Sequence, residues 1–454
     1  MKKIKDKDDK KIYNENRKKN EPEGGLMRMN RRRFLQGTAA AGVLLAGGAF
    51  LTRQSWWHSV MHKAQAVSGG LDVSALRQMM TKDPATSRRI MWESAEVLAS
   101  PAVEYRQKGA AAGEKQAAVD ESFTDDEVTR HQYAAAIEGL TPGTSYEYRV
   151  VSGDRAGSWQ PLQTPKEDGS FLALIFPDSQ SNGYSDWHHL VSGAAERNKS
   201  ADFFINMGDL VDNGEDHTQW EAWFDAVQEL SERVPLAPLM GNHETYDLKW
   251  QVRLPEAYLH YFDVPANGSA QFEKYYYSFD YGLAHFMVIN TQWDETEEFR
   301  PGLLDEQLAW LRRDAAASQK PWKIALLHKD VLQYRIKNRP ERQEGISDVG
   351  EAFMPLFDEL GIDAVFTAHL HTYRDRGRLY HMRPADKGPL YILTGVAGNV
   401  RYPDLWVDHA FDKVVAPQPE TDNYLTLAVT PAELTVCCYL PDGTEIDRTS
   451  IRKA

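Results

Sequence analysis

From residue 171 onward, short apolar runs recur along the chain, and polar side chains follow each of them at once. Five runs have the length of buried strands, and they span residues 171–177, 203–207, 236–240, 323–327 and 363–368. Between them, apolar residues fall at the spacing of amphipathic helices over residues 220–230, 308–311 and 353–360. Alternating strands and helices build layered α/β domains, so we predict such a domain over residues 167–454.

A different pattern precedes this domain. Apolar and polar residues alternate with a period of two over residues 88–94, 102–107, 131–137 and 145–151, as in half-exposed strands. The turn at residues 139–144, GLTPGT, resembles the late turn of fibronectin type III domains. We therefore predict an all-β, fibronectin type III-like domain over residues 67–166, in which residues 71–82 form a short helical or linking stretch.

The polar residues at the strand ends are carboxylates, amides and imidazoles, which are typical metal ligands. The candidates are Asp178, Gln180, Asp209, Asn242, His328, His369 and His371. Ligands bind at the carboxyl ends of strands in α/β sheets, so these side chains should lie close together. Oxygen and nitrogen donors suit Mn, Fe, Zn or Ni, and seven ligands are too many for one tetrahedral ion. The pattern predicts two metal ions that share a carboxylate.

Along the chain these residues occur in the motifs P-D-S-Q, G-D-L-V-D, G-N-H-E, a lone His328 and A-H-L-H. Over residues 171–400 the series resembles that of the calcineurin-like metallophosphoesterases, which is D-x-H, G-D-x-x-D, G-N-H-D/E, a lone His and G-H-x-H. The layout, with a fibronectin-type sandwich in front, is most similar to the purple acid phosphatase branch. The resemblance implies a two-sheet β-sandwich flanked by helices, with the site at one edge.

The resemblance also implies a role for each residue. One metal would be held by Asp178, Gln180, Asp209 and His371, and the other by Asp209, Asn242, His328 and His369, with Asp209 bridging. The ions would be Fe, Mn or Zn, and they would make hydroxide from a bound water near neutral pH to attack phosphorus. His243 would stabilise the phosphoryl oxygens or protonate the leaving oxygen, and Glu244 would orient His243 through its other ring nitrogen.

Three positions depart from the family motifs. Gln180 stands where the family has His, so this position offers an amide oxygen or no ligand at all. Asp212 stands where purple acid phosphatases have a tyrosine ligand, so the colour of that branch is not expected. Asp212 itself is either a metal ligand or, alternatively, an N-cap or a group that supports a ligand. Ala368 replaces the glycine of G-H-x-H, which is tolerable unless the backbone there needs a positive φ. The resemblance thus implies a relative of the purple enzymes rather than a member.

Length and charge limit the classes of function. A chain of 454 residues fits two domains plus a targeting segment. Residues 1–66 carry a net charge of +9 and the remainder −23, which together give the −14 of the whole chain. An acidic body argues against nucleic acid as a partner. The two cysteines, Cys437 and Cys438, are adjacent, and adjacent cysteines rarely form a disulfide, so we do not expect the fold to depend on one.

The N-terminal segment, residues 1–66, predicts export. Residues 30–36, NRRRFLQ, resemble the twin-arginine motif S/T-R-R-x-F-L-K, and the apolar stretch that follows at residues 37–51 is short for a membrane span. Residues 64–66, AQA, offer a cleavage site after Ala66, and an uncleaved membrane anchor is the alternative. We expect the twin-arginine machinery as a partner, the periplasm or cell envelope as the location, and no stable membrane insertion of the mature body.

The combined interpretation is an exported, binuclear metal-dependent phosphoesterase that acts on a phosphate ester. Phosphomonoesters are the favoured substrates. Phosphodiesters remain the alternative, because the segments between the motifs carry no pattern that separates the two classes of ester. A second alternative is a non-catalytic metal-binding protein of the cell envelope that binds a partner through its sandwich domain. Metal content and hydrolysis of a generic aryl phosphate separate the enzyme from the non-catalytic protein.

Overall fold

The computed structural model describes residue 71 and residues 73–453, so the predicted signal region, residues 1–66, lies outside the described residues. The first strands are β1 (Ser74–Met79), β2 (Ser87–Ser94), β3 (Pro101–Gln107), β4 (Glu114–Ala117), β5 (Val119–Asp125), β6 (Val128–Glu138), β7 (Ser145–Ser152), β8 (Arg155–Ala156) and β9 (Gln160–Gln163). Strands β1, β2, β6 and β5 pair in one sheet, and β4, β3, β7, β8 and β9 in another. An apolar core between the two includes the stacked rings of Trp92 and Tyr133, whose centroids are 5.5 Å apart.

Residues 171–453 supply further strands and the helices. The strands are β10 (Phe171–Phe176), β11 (Phe203–Asn206), β12 (Leu236–Pro238), β13 (Tyr277–Tyr281), β14 (Ala284–Ile289), β15 (Trp322–Leu327), β16 (Leu332–Gln333), β17 (Arg335–Ile336), β18 (Gly345–Ile346), β19 (Ala364–Thr367), β20 (Tyr373–Tyr380), β21 (Arg383–Pro384), β22 (Leu390–Thr394), β23 (Trp406–Val407), β24 (Val414–Val415), β25 (Tyr424–Val429), β26 (Glu433–Tyr439) and β27 (Glu445–Arg452). The helices are α1 (Ser185–Arg197), α2 (His217–Ser231), α3 (Glu256–Tyr261), α4 (Trp293–Thr296), α5 (Leu303–Ala317) and α6 (Asp348–Leu360).

Two large sheets pack against each other. One has the strand order β27-β26-β25-β10-β11-β12-β1-β2-β6-β5, in which β10, β11 and β12 are parallel. The other has the order β13-β14-β15-β19-β22-β20-β21, in which β14, β15, β19 and β22 are parallel. Phe203 on β11 joins them, with its ring centroid 5.6 Å from that of Phe286 on β14 and 4.4 Å from that of Tyr281 on β13. The predicted two-sheet sandwich flanked by helices, with an all-β region before it, is confirmed.

The predicted helical or linking stretch over residues 71–82 is wrong, because β1 forms there. Both faces of β1 are covered: Leu76 packs in the core of the first sandwich, while Ala75 and Met79 pack in the larger core. A strand buried on both faces lacks the alternation by which strands are recognised. Since Met79 also pairs in parallel with Leu236 of β12, β1 connects the first region to the larger sheet.

The helices cover the sheets with amphipathic surfaces. The longest, α2 and α5, have 15 residues each, and bury aromatic side chains such as Trp223 and Trp310. Among the described residues, no helix combines the length and the apolar composition needed to cross a membrane.

Candidate metal centre

Parallel strands of both large sheets end at the predicted site. The predicted ligands are Asp178 and Gln180 after β10, Asp209 after β11, Asn242 after β12, His328 after β15, and His369 and His371 after β19. Backbone hydrogen bonds tie these segments together. The amide of Gln180 donates to the carbonyl oxygen of Asp209 at 2.9 Å, and the amide of Ala368 donates to that of His328 at 2.8 Å. The carboxyl ends of the strands therefore bring the ligand segments to one edge of the sandwich.

Five of these side chains form two groups that could each hold a metal ion. Asp209, His328 and His369 form one group, and Asp178, Asp209 and His371 form the other. Within each group the donor atoms lie within 4.8 Å of one another. Asp209 belongs to both, and its Oδ2 lies 3.2 Å from His328 Nε2. The arrangement has the shared carboxylate that two neighbouring cations require.

Backbone contacts fix the orientation of the imidazole rings. Nδ1 of His328 lies 2.9 Å from the carbonyl oxygen of Met207, and Nδ1 of His371 lies 2.6 Å from that of Val400. A carbonyl oxygen only accepts hydrogen bonds, so both rings carry a proton on Nδ1 and keep Nε2 as the donor atom for a metal. Burial lowers the pKa of His371 to about 4 and that of His369 well below its usual value. Neutral imidazole is the form that binds metals.

Of the two amide side chains, Asn242 lies beside a predicted ligand and Gln180 is buried without a hydrogen-bond partner among the described residues. Oδ1 of Asn242 is 3.2 Å from Nε2 of His328, beside the group that contains His369. Gln180 is fully buried, and neither Oε1 nor Nε2 of its side chain has a hydrogen-bond partner among the described residues. Nδ1 of His369 is buried without such a partner as well. Since unpaired polar atoms are costly to bury, these orphaned donors fit a site that is completed by metal ions.

The charges at the site also favour bound cations. Burial raises the pKa of Asp178, and it raises the pKa of Glu244 to about 7, with Asp209 as the next cause for Glu244. Burial acts on Asp209 in the same direction, but the neighbouring His328 and His243 outweigh it and hold the pKa of Asp209 well below its usual range. Burial lowers the pKa of His328, yet Asp209 and its other contacts raise it to about 9. Carboxylates this deeply buried need positive charge nearby to stay ionised.

The backbone at the site is held in an uncommon conformation. Three predicted ligands have positive φ angles, 48° at Asp209, 76° at His369 and 53° at His371. Non-glycine residues rarely adopt this region, and such strain is concentrated at functional sites. Ala368 does not have a positive φ, so the backbone there does not need glycine and the alanine is tolerated. Gly208 has φ 96°, and a Cβ there would lie 2.6 Å from Nδ1 of His328, so glycine is required.

His243 lies against the carboxylate of Asp209, which the two groups of potential ligands share. Its backbone amide donates to Oδ1 of Asp209 at 2.9 Å, and its Nε2 lies 3.9 Å from Oδ2 of the same residue. Its Nδ1 lies 2.7 Å from the carbonyl oxygen of Asp212, which sets the proton on Nδ1. The ring therefore turns Nε2 towards the predicted metal ligands.

The expectation that Glu244 orients the ring of His243 is wrong. The carboxylate of Glu244 instead accepts hydrogen bonds from the backbone amides of Gly241 at 2.6 Å, Leu210 at 2.8 Å and Asp209 at 3.0 Å. These amides belong to the two loops that carry Asp209 and Asn242. Glu244 therefore holds two ligand loops together, and the Asp212 carbonyl takes the expected place beside His243.

The helix-capping interpretation of Asp212 is also wrong. The N-cap of α2 is Asp216, whose side chain accepts hydrogen bonds from the amides of Thr218 and Gln219, so Asp212 does not cap this helix. The amide of Asp212 donates to Oε1 of Gln219 at 2.8 Å, and its Oδ1 lies 3.8 Å from Nδ1 of His243. Asp212 thus lies beside His243 and belongs to neither of the two groups of potential ligands, Asp209 with His328 and His369, and Asp178 with Asp209 and His371.

Aromatic residues near the site were not predicted. The ring centroids of Tyr246 and Trp250 lie 5.6 and 5.8 Å from that of His243, and the centroid of Tyr402 lies 4.9 Å from that of His371. The only local signal was two aromatic residues within eight positions of G-N-H-E. Aromatic residues are so common in cores that this signal could not be interpreted from the sequence.

Comparisons with known proteins agree with this geometry. The family model described as calcineurin-like phosphoesterase matches residues 173–373, and that described as the purple acid phosphatase N-terminal domain matches residues 74–166. Purple acid phosphatase 15 of Arabidopsis thaliana is 30% identical over 321 residues, 63% of this chain and 56% of that protein. Purple acid phosphatase 23 of the same plant is 30% identical over 311 residues, 61% of this chain and 64% of that protein. The chain thus spans less than two thirds of either relative.

The fold is similar to that of a solved enzyme. The purple acid phosphatase PPD1 from yellow lupin (Lupinus luteus) seeds superposes with a TM-score of 0.70 and 16% sequence identity. The alignment covers 84% of this chain and 74% of the lupin chain. At this identity the likeness shows the fold alone, a two-sheet sandwich with an all-β region in front.

Proposed function

Since the chain carries a calcineurin-like phosphoesterase domain and, before it, the N-terminal domain of the purple acid phosphatases, we propose that it is a metal-dependent hydrolase of phosphate esters. The observation that carries this proposal is Asp209, which belongs to two groups of potential ligands, one with His328 and His369 and one with Asp178 and His371. A shared carboxylate allows two cations to act on one phosphoryl group.

The metal ions would be held by seven side chains and would be Fe, Mn or Zn. The side chains are Asp178, Gln180, Asp209, Asn242, His328, His369 and His371. When bound, such ions supply Lewis acidity, which lowers the pKa of water and offsets the negative charge of the phosphate. Carboxylate, amide and imidazole donors suit these three metals. The buried, unpartnered side-chain atoms of Gln180 and His369 support this assignment.

His243 is the residue that we assign to the substrate. Its Nδ1 is held 2.7 Å from the carbonyl oxygen of Asp212, which fixes the ring plane, and its Nε2 faces the side of Asp209. In its protonated form, Nε2 would donate to a phosphoryl oxygen or pass a proton to the leaving oxygen. Glu244 would act through the backbone, because it holds the loops of Asp209 and Asn242 in register.

Phosphomonoesters are the substrates that we favour over phosphodiesters. The support is that both relatives described above are named purple acid phosphatases. The test is to reconstitute the purified protein with Fe, Mn or Zn and to measure rates on mono- and bis-nitrophenyl phosphate. A higher kcat/KM on the monoester supports the proposal, and a higher value on the diester shows a phosphodiesterase. A metal-loaded protein that hydrolyses neither is not the enzyme proposed.

We also propose that the protein is exported by the twin-arginine machinery and works in the periplasm or cell envelope. The support is the sequence of residues 30–36 and the apolar stretch at residues 37–51. In this proposal residues 1–66 are the signal region, residues 67–166 the fibronectin type III-like domain and residues 167–454 the catalytic domain. Replacing both Arg31 and Arg32 by Lys should keep the protein in the cytoplasm, and unchanged fractionation of that variant argues against this route.

A further inference from the structure

A short loop after the G-N-H-E motif places an indole ring beside the proposed substrate-binding histidine. The loop spans residues 246–253, and we refer to it as the 246–253 loop. The ring centroid of Trp250 lies 5.8 Å from that of His243, at an interplanar angle of 82°. Tyr246 completes the cluster, with centroids 5.6 Å from His243 and 5.9 Å from Trp250. Tyr246 is buried, whereas Trp250 is only half-buried, so Trp250 keeps surface that is accessible to solvent.

Trp250 is held in this position against a conformational cost. Its φ is 62°, in the left-handed region that bulky residues rarely adopt. The backbone of the loop enforces this angle: the amide of Trp250 donates to the carbonyl oxygen of Asp247 at 2.8 Å. The carboxylate of Asp247 accepts from the amides of Lys249 at 2.8 Å and Gln251 at 2.7 Å. Strain that the surroundings maintain is typical of residues with a function.

The loop is also anchored at both ends. Nδ2 of Asn213, which follows the G-D-L-V-D motif, donates to the carbonyl oxygen of Asp247 at 2.6 Å. At the other end, the guanidinium of Arg253 pairs with Asp125 at 2.9 Å and with Glu215 at 3.3 Å. The position of Trp250 is therefore built into the fold before any ligand binds, as a specificity-determining residue requires.

A second aromatic ring lies beside the predicted ligand His371. The half-buried ring of Tyr402 is tilted by 40° against His371, with centroids 4.9 Å apart. The arginines of the two loops are already paired, Arg253 with Asp125 and Arg401 with Asp422. The residues around the site thus offer aromatic rings, while the guanidinium groups of these two loops are already paired. Such surroundings suit a planar organic group in the ligand better than additional phosphates.

We propose that Trp250 forms one side of the substrate pocket and selects phosphate esters whose leaving group carries a planar aromatic ring. This inference rests on the proposed function, because it takes His243 to be at the reacting phosphate. With the phosphoryl group beside His243, a planar leaving group is within reach of the indole, and stacking of flat rings stabilises such a complex. A saturated group of the same bulk would lose the stacking contribution.

The experiment uses the full chain, reconstituted with metal, and measures binding as well as hydrolysis. Calorimetry gives Kd for benzylphosphonate, cyclohexylmethylphosphonate and methylphosphonate. Trp250→Leu removes the ring, Trp250→Phe keeps a smaller one, and Trp159→Leu is the control. Trp159 is a half-buried tryptophan on the first sandwich, where Arg106 lies 4.1 Å from its ring centroid.

We expect wild-type protein to bind the benzyl compound more tightly than the cyclohexyl compound, and Trp250→Leu to weaken binding of the benzyl compound alone by about tenfold. The affinity of Trp250→Phe for the aromatic phosphonate should lie between those of wild type and Trp250→Leu, and Trp159→Leu should match wild type. Equal affinity of wild type for the benzyl and cyclohexyl compounds, or an equal loss for all three ligands in Trp250→Leu, overturns the inference. If the phosphonates bind as expected but no phosphate ester is hydrolysed, the proposed function fails while the role of Trp250 in binding stands.

Discussion

Both carboxylate oxygens of Asp125 accept hydrogen bonds from the guanidinium of Arg253, at 2.9 Å from Nη1 and 3.0 Å from Nη2. Asp125 is the last residue of β5 in the first sandwich, and Arg253 ends the loop that carries Trp250. Bidentate pairing of this kind fixes direction as well as distance. The all-β region therefore helps to shape the proposed substrate pocket.

The first prediction concerns this pair. Asp125→Asn keeps the size of the side chain but removes the charge that orients Arg253, so the 246–253 loop should loosen around Trp250. Small misplacements at an active site are costly, and we expect kcat/KM on an aryl phosphate to fall about tenfold. Steady-state kinetics measure the fall in kcat/KM, and thermal unfolding of the same preparation shows whether the variant is also less stable.

Glu104→Gln is the matched control for Asp125→Asn. Glu104 pairs with Arg149 at 2.7 Å within the first sandwich and does not touch the loop. This variant should keep wild-type kinetics, because exposed and half-exposed ion pairs contribute little beyond their own contact. If the two variants behave alike, the Asp125–Arg253 pair has no special role at the site.

A second prediction addresses the number of metal ions. Purified protein should hold close to two transition-metal ions, and Asp209→Ala should lose both because Asp209 belongs to both ligand groups. Elemental analysis of dialysed protein measures this directly. His189→Ala is the control, since His189 is exposed and outside the site. A single ion in active wild-type protein contradicts the two-ion centre.

Much of the site was predictable because it depends on strand ends. Asp178, Asp209 and His328 each follow an apolar run, and the order of such runs is visible in the sequence. Residues at the carboxyl ends of parallel strands meet in space even when 150 residues separate them, as between Asp178 and His328. The division of the ligands into two groups around Asp209 does not follow from this rule and was implied only by the resemblance to the calcineurin-like metallophosphoesterases.

What failed depends on contacts that leave no local pattern. Glu244 was expected to orient the ring of its neighbour His243, but its carboxylate accepts hydrogen bonds from the backbone amides of Gly241 and Leu210. Only the folded loops bring these groups together. Strand β1 was missed because both of its faces are buried. The position of Trp250 depends on the turn at Asp247 and on Arg253 meeting a strand more than a hundred residues earlier.

The third prediction separates binding from chemistry at His243. His243→Ala should retain its metal ions, because no proposed ligand is removed, yet kcat should fall by about 10²- to 10⁴-fold. The loss should be larger on an alkyl phosphate, whose leaving oxygen needs a proton more, than on an activated aryl phosphate. Rates on both substrates and metal content decide the matter, and wild-type rates on both would remove His243 from the mechanism.

A fourth prediction concerns stability away from the metal centre. Burial lowers the pKa of His285, but hydrogen bonds at 2.7 Å to Asp280 and 2.9 Å to Asp314 outweigh burial and raise the pKa to about 9. A raised pKa means that the folded state holds the proton more tightly than the unfolded state, where the value is about 6.5. The stabilisation is complete below pH 6.5 and disappears as the pH rises through 9.

The measurement for His285 is the free energy of unfolding in urea between pH 6 and pH 10. Over this pH range, the contribution of His285 to the free energy of unfolding of the wild-type protein should fall by at most about 3 kcal/mol. In His285→Gln, the free energy of unfolding should change correspondingly less with pH. His381→Gln is the control, because the side chain of His381 is 75% exposed. Equal slopes in wild type and His285→Gln contradict the assignment.

The last prediction concerns Gln180 and the absence of a tyrosine ligand. Position 212 is an aspartate and not a tyrosine, so no phenolate is supplied from this position. The metal-loaded enzyme should therefore lack a visible band in the purple region. The fully buried amide of Gln180 has no hydrogen-bond partner among the described residues, so its oxygen is available to the ion held by Asp178 and His371. A neutral amide binds borderline metals less tightly than imidazole does, and this ion should leave first under chelation. Gln180→His should therefore slow its loss, whereas Gln180→Leu should speed it, and metal content during a chelator titration follows both. Unchanged or weaker binding in Gln180→His, together with unchanged binding in Gln180→Leu, would show that position 180 is a loop amide and holds no metal.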